Sequence, residues 1–249
     1  MNIRIADSAE VRASLPGTAS WWDPDTGCTL MVARPSDEPQ LWADYLAGAV
    51  SSYRKHGVEC ALDMAALRTG CDTVLFFAAV DDHGHMVAGV RAKGPLRSAE
   101  DSHAVVEWAG RPGLADVRKM INDRVPFGIL EMKSAWVTDG HPRARMLTRA
   151  LARSGFHAMA LMDIRFCMAT AGGYVLERWK SSGGVVAAHI PPTPYPDERY
   201  QTTMMWWDRR VFTQHAEPDQ VSKIFRETHA LTNRLEDVMA PGRRNASTS

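Results

Sequence analysis

The chain predicts a mixed α/β domain whose sheet is antiparallel except for one parallel step near its middle. Three observations predict it. Apolar runs of strand length alternate with segments of helical spacing along most of the 249 residues. Two of those runs, 73–80 and 85–93, meet across the turn Asp81-Asp82-His83-Gly84 and read as an antiparallel hairpin. Residues 128–164 read as strand, helix, strand, and two strands joined through a helix lie parallel in a right-handed crossover.

In order, residues 1–27 carry the turn signals Pro16-Gly17 and Asp23-Pro24 and read as an irregular arm. Residues 28–33 are apolar and strand-like. Pro35-Ser36-Asp37 opens a helix through Leu41, Trp42, Tyr45, Leu46, Ala49, Val50 and Tyr53, stopped near Gly57. After the hairpin, residues 103–109 read as a short strand and 114–125 as a helix spaced on Leu114, Val117, Ile121 and Val125. The crossover consists of a strand over 128–137, a helix over 142–154 with Pro142 at its start and Gly155 past its end, and a strand over 156–164. A helix over 170–181, a break at Gly183-Gly184 and a strand over 185–190 follow. The proline-rich loop PPTPYPDERY, stiff and poorly suited to strand pairing, leads to a last strand over 202–208. One helix spans 217–238, and the closing PGRRNASTS reads as disordered. These elements divide the chain into an arm (1–27), a domain (28–212) and a C-terminal helix with a tail (213–249).

Composition excludes several classes of function. Lys plus Arg and Asp plus Glu both number 29, so no overall field recruits nucleic acid. Cys28, Cys60, Cys71 and Cys167 are widely spaced and include no C-x-x-C, so they read as free thiols rather than as a disulfide framework or a zinc site. His83-Gly84-His85 sits in a hairpin turn without the other ligands a metal needs, so no metal is expected. No G-x-S-x-G and no nucleophile-bearing strand-turn-helix appears. The N-terminus holds no signal-like apolar run, and no segment approaches the roughly 20 apolar residues of a membrane helix. The reading is a soluble cytoplasmic protein.

Two segments carry a resemblance. HMVAGVRAKGPL, with Gly89-Val90-Arg91, resembles the V-x-G-x-x-R strand of autoinducer synthases, and GILEMKSAWV, with Glu131 and Val137, resembles the strand that holds their functional glutamate. Together with the element order, residues 28–212 resemble the Gcn5-related N-acyltransferase superfamily, on its acyl-homoserine-lactone and N-acyl amino acid synthase branch. The chain departs from ordinary acetyltransferases. DGHPRAR lacks the glycine spacing of their R/Q-x-x-G-x-G/A loop, and Trp179 stands where they often place a proton-donating tyrosine.

The resemblance implies a central mixed sheet of about seven strands flanked by helices, with the parallel step between the fourth and fifth. It implies transfer of an acyl group from acyl-CoA or an acyl carrier protein to the amine of a small molecule, an amino acid being one such amine. A plain N-acetyltransferase and a catalytically silent domain binding an acyl thioester or a protein are the alternatives. The donor's pantetheine would lie along Ala135, Trp136 and Val137. Its phosphate would meet Gly140, Arg143, Ala144 and Arg145 at a helix N-terminus, where free amides favour anions; the alternative for the arginines is a solvated helix face. Glu131, on a central strand, must be paired, hydrogen-bonded or functional. It would act on the acceptor amine, the alternative being an ion pair with Lys133 or Arg91. Arg91 would pair with Glu131 or grip an acceptor carboxylate. The last loop would bring Tyr195, Asp197, Glu198 and Tyr200 to the acceptor, unless it is an ordinary surface loop.

Overall fold

The computed structural model describes residues 17–239, with side chains as far as residue 233. The strands β1 (Ala19–Asp23) and β2 (Cys28–Ala33) pair antiparallel, and α1 (Pro39–Lys55) follows. After the short α2 (Met64–Thr69) comes the hairpin of β3 (Thr73–Val80) and β4 (Met86–Lys93). Then come α3 (Ala104–Glu107), α4 (Leu114–Asn122), β5 (Ile129–Val137), α5 (Ala144–Leu161) and β6 (Phe166–Gly172). A 3₁₀ turn leads into α6 (Leu176–Lys180), and β7 (Val185–Val186), β8 (Thr193–Pro194), β9 (Gln201–Asp208) and α7 (Pro218–Met239) complete the described chain. These form one nine-stranded sheet in the order β1-β2-β3-β4-β5-β6-β9-β7, with β8 on β9. Its parallel pair is β5 with β6, as the crossover predicted. No described helix is long and apolar enough to cross a membrane.

Several elements differ from the sequence reading. The end of the arm is not irregular: residues 19–23 add an edge strand through a turn whose Gly27 has φ 63°. Residues 103–109 hold the short helix Ala104–Glu107 and its flanking turns rather than a strand. The expected strand over 156–164 is largely the second half of α5, and the true strand begins at Phe166. The reason is burial. Between Ala150 and Leu161 almost every residue of α5 is buried, because the sheet covers one side and α7 the other, so no polar face reveals the 3.6-residue period. Gly155 does not end this helix but lets it close on β6; a Cβ there would lie 3.0 Å from Cys167 Sγ. The helix expected over 170–181 is the end of β6, then α6. The strand over 185–190 shrinks to two residues, and the proline loop contributes β8 to the sheet. These short strands and β1 raise the count above seven. Residues 1–16 and the tail from 240, including the stretch read as disordered, lie outside the described residues.

The sheet separates two cores. On the α5 face, Leu130, Met132, Cys167, Ala169 and Met205 pack with Leu147, Leu151 and Phe156. On the other, Ile129, Phe166, Met168 and Trp206 pack with Trp108, Val117 and Ile121 of α3 and α4. Beside this second core, α1 lays Trp42 and Tyr45 on Phe76 and Trp136. The approach is close enough that Gly48 leaves room for the Trp136 ring.

Candidate active site

The site arises from an interruption in β5. Its register with β4 runs Lys93↔Glu131, Ala92↔Met132 and Arg91↔Lys133, then resumes at Gly89↔Trp136, so Ser134 and Ala135 together face Val90. This is a β-bulge. Ser134 takes the left-handed conformation, φ 53°, which residues other than glycine avoid. Tyr45 fixes it by donating a 2.8 Å hydrogen bond from its hydroxyl to the Ser134 carbonyl. The bulge also swaps faces: Met132 packs in the α5 core, whereas beyond the bulge Ala135 and Val137 do so and Trp136 turns to α1.

At the same place β6 leaves β5. Their parallel pairing spans only Ile129↔Phe166 to Met132↔Ala169, after which β5 stays with β4 and β6 with β9. Strands that splay in this way leave the edge of residues 133–137 without a partner strand and open a cleft of about 450 Å³ through the sheet. On the α5 face Met132, Leu151, Ala169, Val175 and Trp179 line it, with Gly140, Ala144 and Thr148 toward the helix N-terminus and Arg178 of α6 on the rim. On the α3 face the lining is polar and aromatic: Tyr53, Glu107, Lys133, Thr170, Tyr195 and Tyr200.

The polar wall is tightly bonded. Lys133 Nζ lies 2.6 Å from Glu107 Oε1 and 3.3 Å from Thr170 Oγ1, and that hydroxyl donates to the same carboxylate oxygen at 2.9 Å. Burial pulls the Lys133 pKa down, but Glu107 and Glu131 beside it outweigh that and hold it above the ordinary lysine value. The other carboxylate oxygen, Glu107 Oε2, is buried without a hydrogen-bond partner. Next to it His103 Nε2 lies 2.7 Å from the Tyr195 hydroxyl. Burial lowers the His103 pKa to about 4, so the ring is neutral near pH 7 and can accept the phenol's proton in a hydrogen bond.

The predicted residues divide. Ala135, Trp136, Val137, Gly140, Ala144, Tyr195 and Tyr200 line the cleft; Arg143 and Arg145 do not, and the Arg143 guanidinium lies over Gly27. The amides of Arg143 and Ala144 are engaged by His141, through Nδ1 and the carbonyl oxygen, so the free donors of this helix start are those of Arg145 and Met146. Asp197 pairs with Arg199 and Glu198 with Arg111, both away from the cleft. Glu131 forms no ion pair with Arg91 or Lys133: Arg91 is engaged by Asp72, and Lys133 by Glu107. Arg91 is buried, 2.5 Å from Asp72 and 2.9 Å from Thr73 Oγ1. Glu131 is fully buried behind the wall. Its Oε2 accepts the His103 backbone N–H at 3.0 Å, its Oε1 has no partner, and burial raises its pKa.

Sequence reasoning missed Glu107, His103, Thr170, Tyr53, Tyr174 and Arg178. The first two stand four residues apart, one helical turn, in a stretch that alternates like a strand. That i, i+4 spacing was the available signal.

No family model matches the chain. Three mycobacterial proteins, Mb1391c of Mycobacterium bovis and MT1399 and Rv1356c of Mycobacterium tuberculosis, are each 50% identical to it over 252 residues, covering 99% of this chain and 95% of their own length. The chain belongs to their family. The structure of FeeM, an N-acyl amino acid synthase from uncultured soil microbes, aligns with a TM-score of 0.51 at 10% identity over 80% of this chain and 93% of FeeM. BjaI, a CoA-dependent acyl-homoserine lactone synthase, aligns with a TM-score of 0.47 at 14% identity over 80% and 88%. The fold is that of the Gcn5-related acyltransferases.

Proposed function

We propose that the protein transfers an acyl group from a CoA or acyl carrier protein thioester to the amine of a small molecule. The observation that carries this reading is the cleft between β5 and β6, whose two faces suit the two substrates. A pantetheine arm needs an unpaired strand edge for its amides and an apolar wall. Residues 133–137 supply the edge, and Met132, Leu151 and Trp179 the wall. Phosphate at the outer end would meet the free amides of Arg145 and Met146, with Arg178 at the rim adding charge.

The amine enters from the α3 face, so that its nitrogen and the thioester carbon meet beside the bulge. Holding both in attack geometry supplies much of the acceleration of a two-substrate reaction. Glu107 takes one proton from the ammonium form of the amine, the freed nitrogen attacks the thioester carbon, and as the C–S bond breaks a second proton passes from the nitrogen to the departing thiolate sulfur, leaving an amide N–H. Backbone N–H groups at the bulge face the developing oxyanion. Glu131 acts as a positioning residue: through the His103 amide it sets α3, and with it both Glu107 and the ring that bonds Tyr195.

The test is thiol release by the full chain from acetyl-CoA, octanoyl-CoA and octanoyl carrier protein, with and without a mixture of primary amines. Amine-dependent release from at least one donor is expected. An apolar wall of this kind favours octanoyl over acetyl, by up to ~0.8 kcal/mol for each added methylene it buries. If no donor releases thiol in response to amine, the reading is overturned, and donor binding without release would identify a binding domain on the same fold.

A further inference from the structure

The two strands that form the cleft part at a defined point. Their last parallel pair is Met132↔Ala169, so Lys133 on β5 and Thr170 on β6 are the first residues left unpaired between the two backbones. Their side chains meet there instead. Lys133 Nζ lies 3.3 Å from Thr170 Oγ1, and Glu107 Oε1 holds the same nitrogen at 2.6 Å. The ammonium group therefore sits in the fork itself, tethered to α3 on one side and to the diverging strand on the other.

An ammonium group has three N–H bonds to donate. Two are taken by Glu107 and Thr170, and the third has no partner among the described residues. The Lys133 side chain keeps 12% of its surface exposed, against 2% for that of Glu107, and it lines the cleft. The open side of this ion pair is thus its cation. Among the described residues lining the cleft, the one other lysine or arginine is Arg178, exposed on α6 at the rim.

The strand direction brings a donor's reactive end to the fork. From Lys133 the unpaired edge of β5 runs outward to Val137, and α5 begins beyond it at Ala144. A pantetheine with its phosphate at the start of α5 and its arm along residues 137 to 133 ends, thioester last, beside Lys133.

We propose that the free N–H of Lys133 donates a hydrogen bond to the thioester carbonyl oxygen, which makes Lys133 a catalytic residue alongside the backbone donors of the bulge. What occupies the cleft rests on the acyl-transfer reading. Lys133 gives up no proton: it stays an ammonium while the carbonyl oxygen gains negative charge as the nitrogen attacks and loses it as the C–S bond breaks. Glu107 and Thr170 hold the donor in place beforehand, so nothing has to reorganise when that charge develops, and removing one such donor lowers turnover about 100-fold or more.

A bound thioester reports this contact without turnover. Octanoyl-CoA and octanoyl carrier protein, each with carbon-13 at the thioester carbonyl, are bound to the full chain, and isotope-edited infrared difference spectra give the carbonyl stretch. The stretch is expected at lower frequency in the complex than in solution, with the shift lost in Lys133→Met although the donor still binds. Lys133→Gln keeps a donor for Glu107, which guards against the first variant failing to fold, and there the shift should shrink. Amine-dependent thiol release should fall about 100-fold in Lys133→Met, in kcat more than in the donor's KM. A donor that binds the parent with no shift, or a shift unaltered in a folded variant, overturns the proposal and leaves acyl transfer standing wherever thiol release persists. A shift present in the parent and lost in the variants, with no thiol release for any amine, keeps Lys133 as the carbonyl contact and overturns the acyl-transfer reading alone. Failure of both donors to bind overturns both.

Discussion

Two of the buried clusters of charge lie on opposite faces of the sheet, and they differ in how completely they are satisfied. On the α5 face, Arg153 donates from Nε to Glu227 at 2.8 Å, from Nη1 to Gln220 at 3.0 Å, and from Nη2 to Asp23 at 2.7 Å and to the second Glu227 oxygen at 3.0 Å. His157 completes the set, 3.0 Å from Glu227 through Nε2 and 3.0 Å from Thr228 through Nδ1. On the α3 face, Glu107 and Glu131 each keep one oxygen unbonded although both are buried. The first cluster ties β1, α5 and α7 together and has no bond left to make. In the second, Glu107 stands on the wall of a cleft with Glu131 behind it, and each keeps one oxygen without a donor. Completeness of hydrogen bonding, more than burial or charge, separates the structural cluster from the one we propose to be functional.

The largest effect that distinguishes them is on stability. Arg153→Met removes the centre of the closed cluster and strands Asp23 and Glu227 in the core. Breaking a buried pair from one side costs about 3–5 kcal/mol, so urea unfolding should show that loss, with α7 loosening first in hydrogen exchange. An effect below about 1 kcal/mol would mean that the cluster is not holding these elements together.

The next effect is pH dependence. Burial depresses the pKa of both histidines, His103 from 6.5 to about 4 and His157 in the same direction. In the unfolded chain both take up protons as the pH falls through about 6.5, whereas the folded protein keeps them neutral. The unfolded state then binds more protons, so stability is at its full value above pH 6.5 and falls as the solution is acidified. For His103 the fall continues to about pH 4. Each such histidine contributes at most about 1.4 kcal/mol per pH unit. His103→Gln, which retains a group able to bond Tyr195, should flatten the unfolding free energy between pH 6.5 and 4.5. An unchanged slope would assign the acid sensitivity to the closed cluster alone.

How legible each region was follows from its local chemistry. The hairpin of β3 and β4 announces itself through two apolar runs around the turn Asp81-Asp82-His83-Gly84, and α1 through spacing that leaves one face wet. The length of α5 is hidden because burial on both sides erases its period. Glu107 and Lys133 form an ion pair 26 residues apart, and nothing in either segment marks the other as its partner. Arg91 and Glu131 were conspicuous as charges in apolar strands, but a strand shows only that a charge is buried, not which neighbour satisfies it. The bulge is the deepest case. Ser134 is an unremarkable residue in a nine-residue strand, and the reason it bends lies on α1.

That reason supplies the smallest predicted effect and the one that connects stability with the cleft. Tyr45 is fully buried, stacked on Trp42 at 4.9 Å between ring centroids, and its hydroxyl is bonded to the Ser134 carbonyl. Tyr45→Phe keeps the ring and its packing, so the loss is one hydrogen bond and the satisfaction of one buried carbonyl, about 1 kcal/mol in urea unfolding. The residue never touches the cleft, yet a left-handed serine persists only where its surroundings over-determine it. Without that bond the bulge relaxes toward regular pairing with β4, and the edge of residues 133–137 shifts against whatever lies along it. Calorimetry should therefore show weaker acyl-thioester binding in Tyr45→Phe while binding of a primary amine that the parent takes up, which depends on the opposite wall, changes little. If both ligands weaken equally, the bulge supports the whole site rather than its donor half, and the division of the cleft into two differently built walls fails.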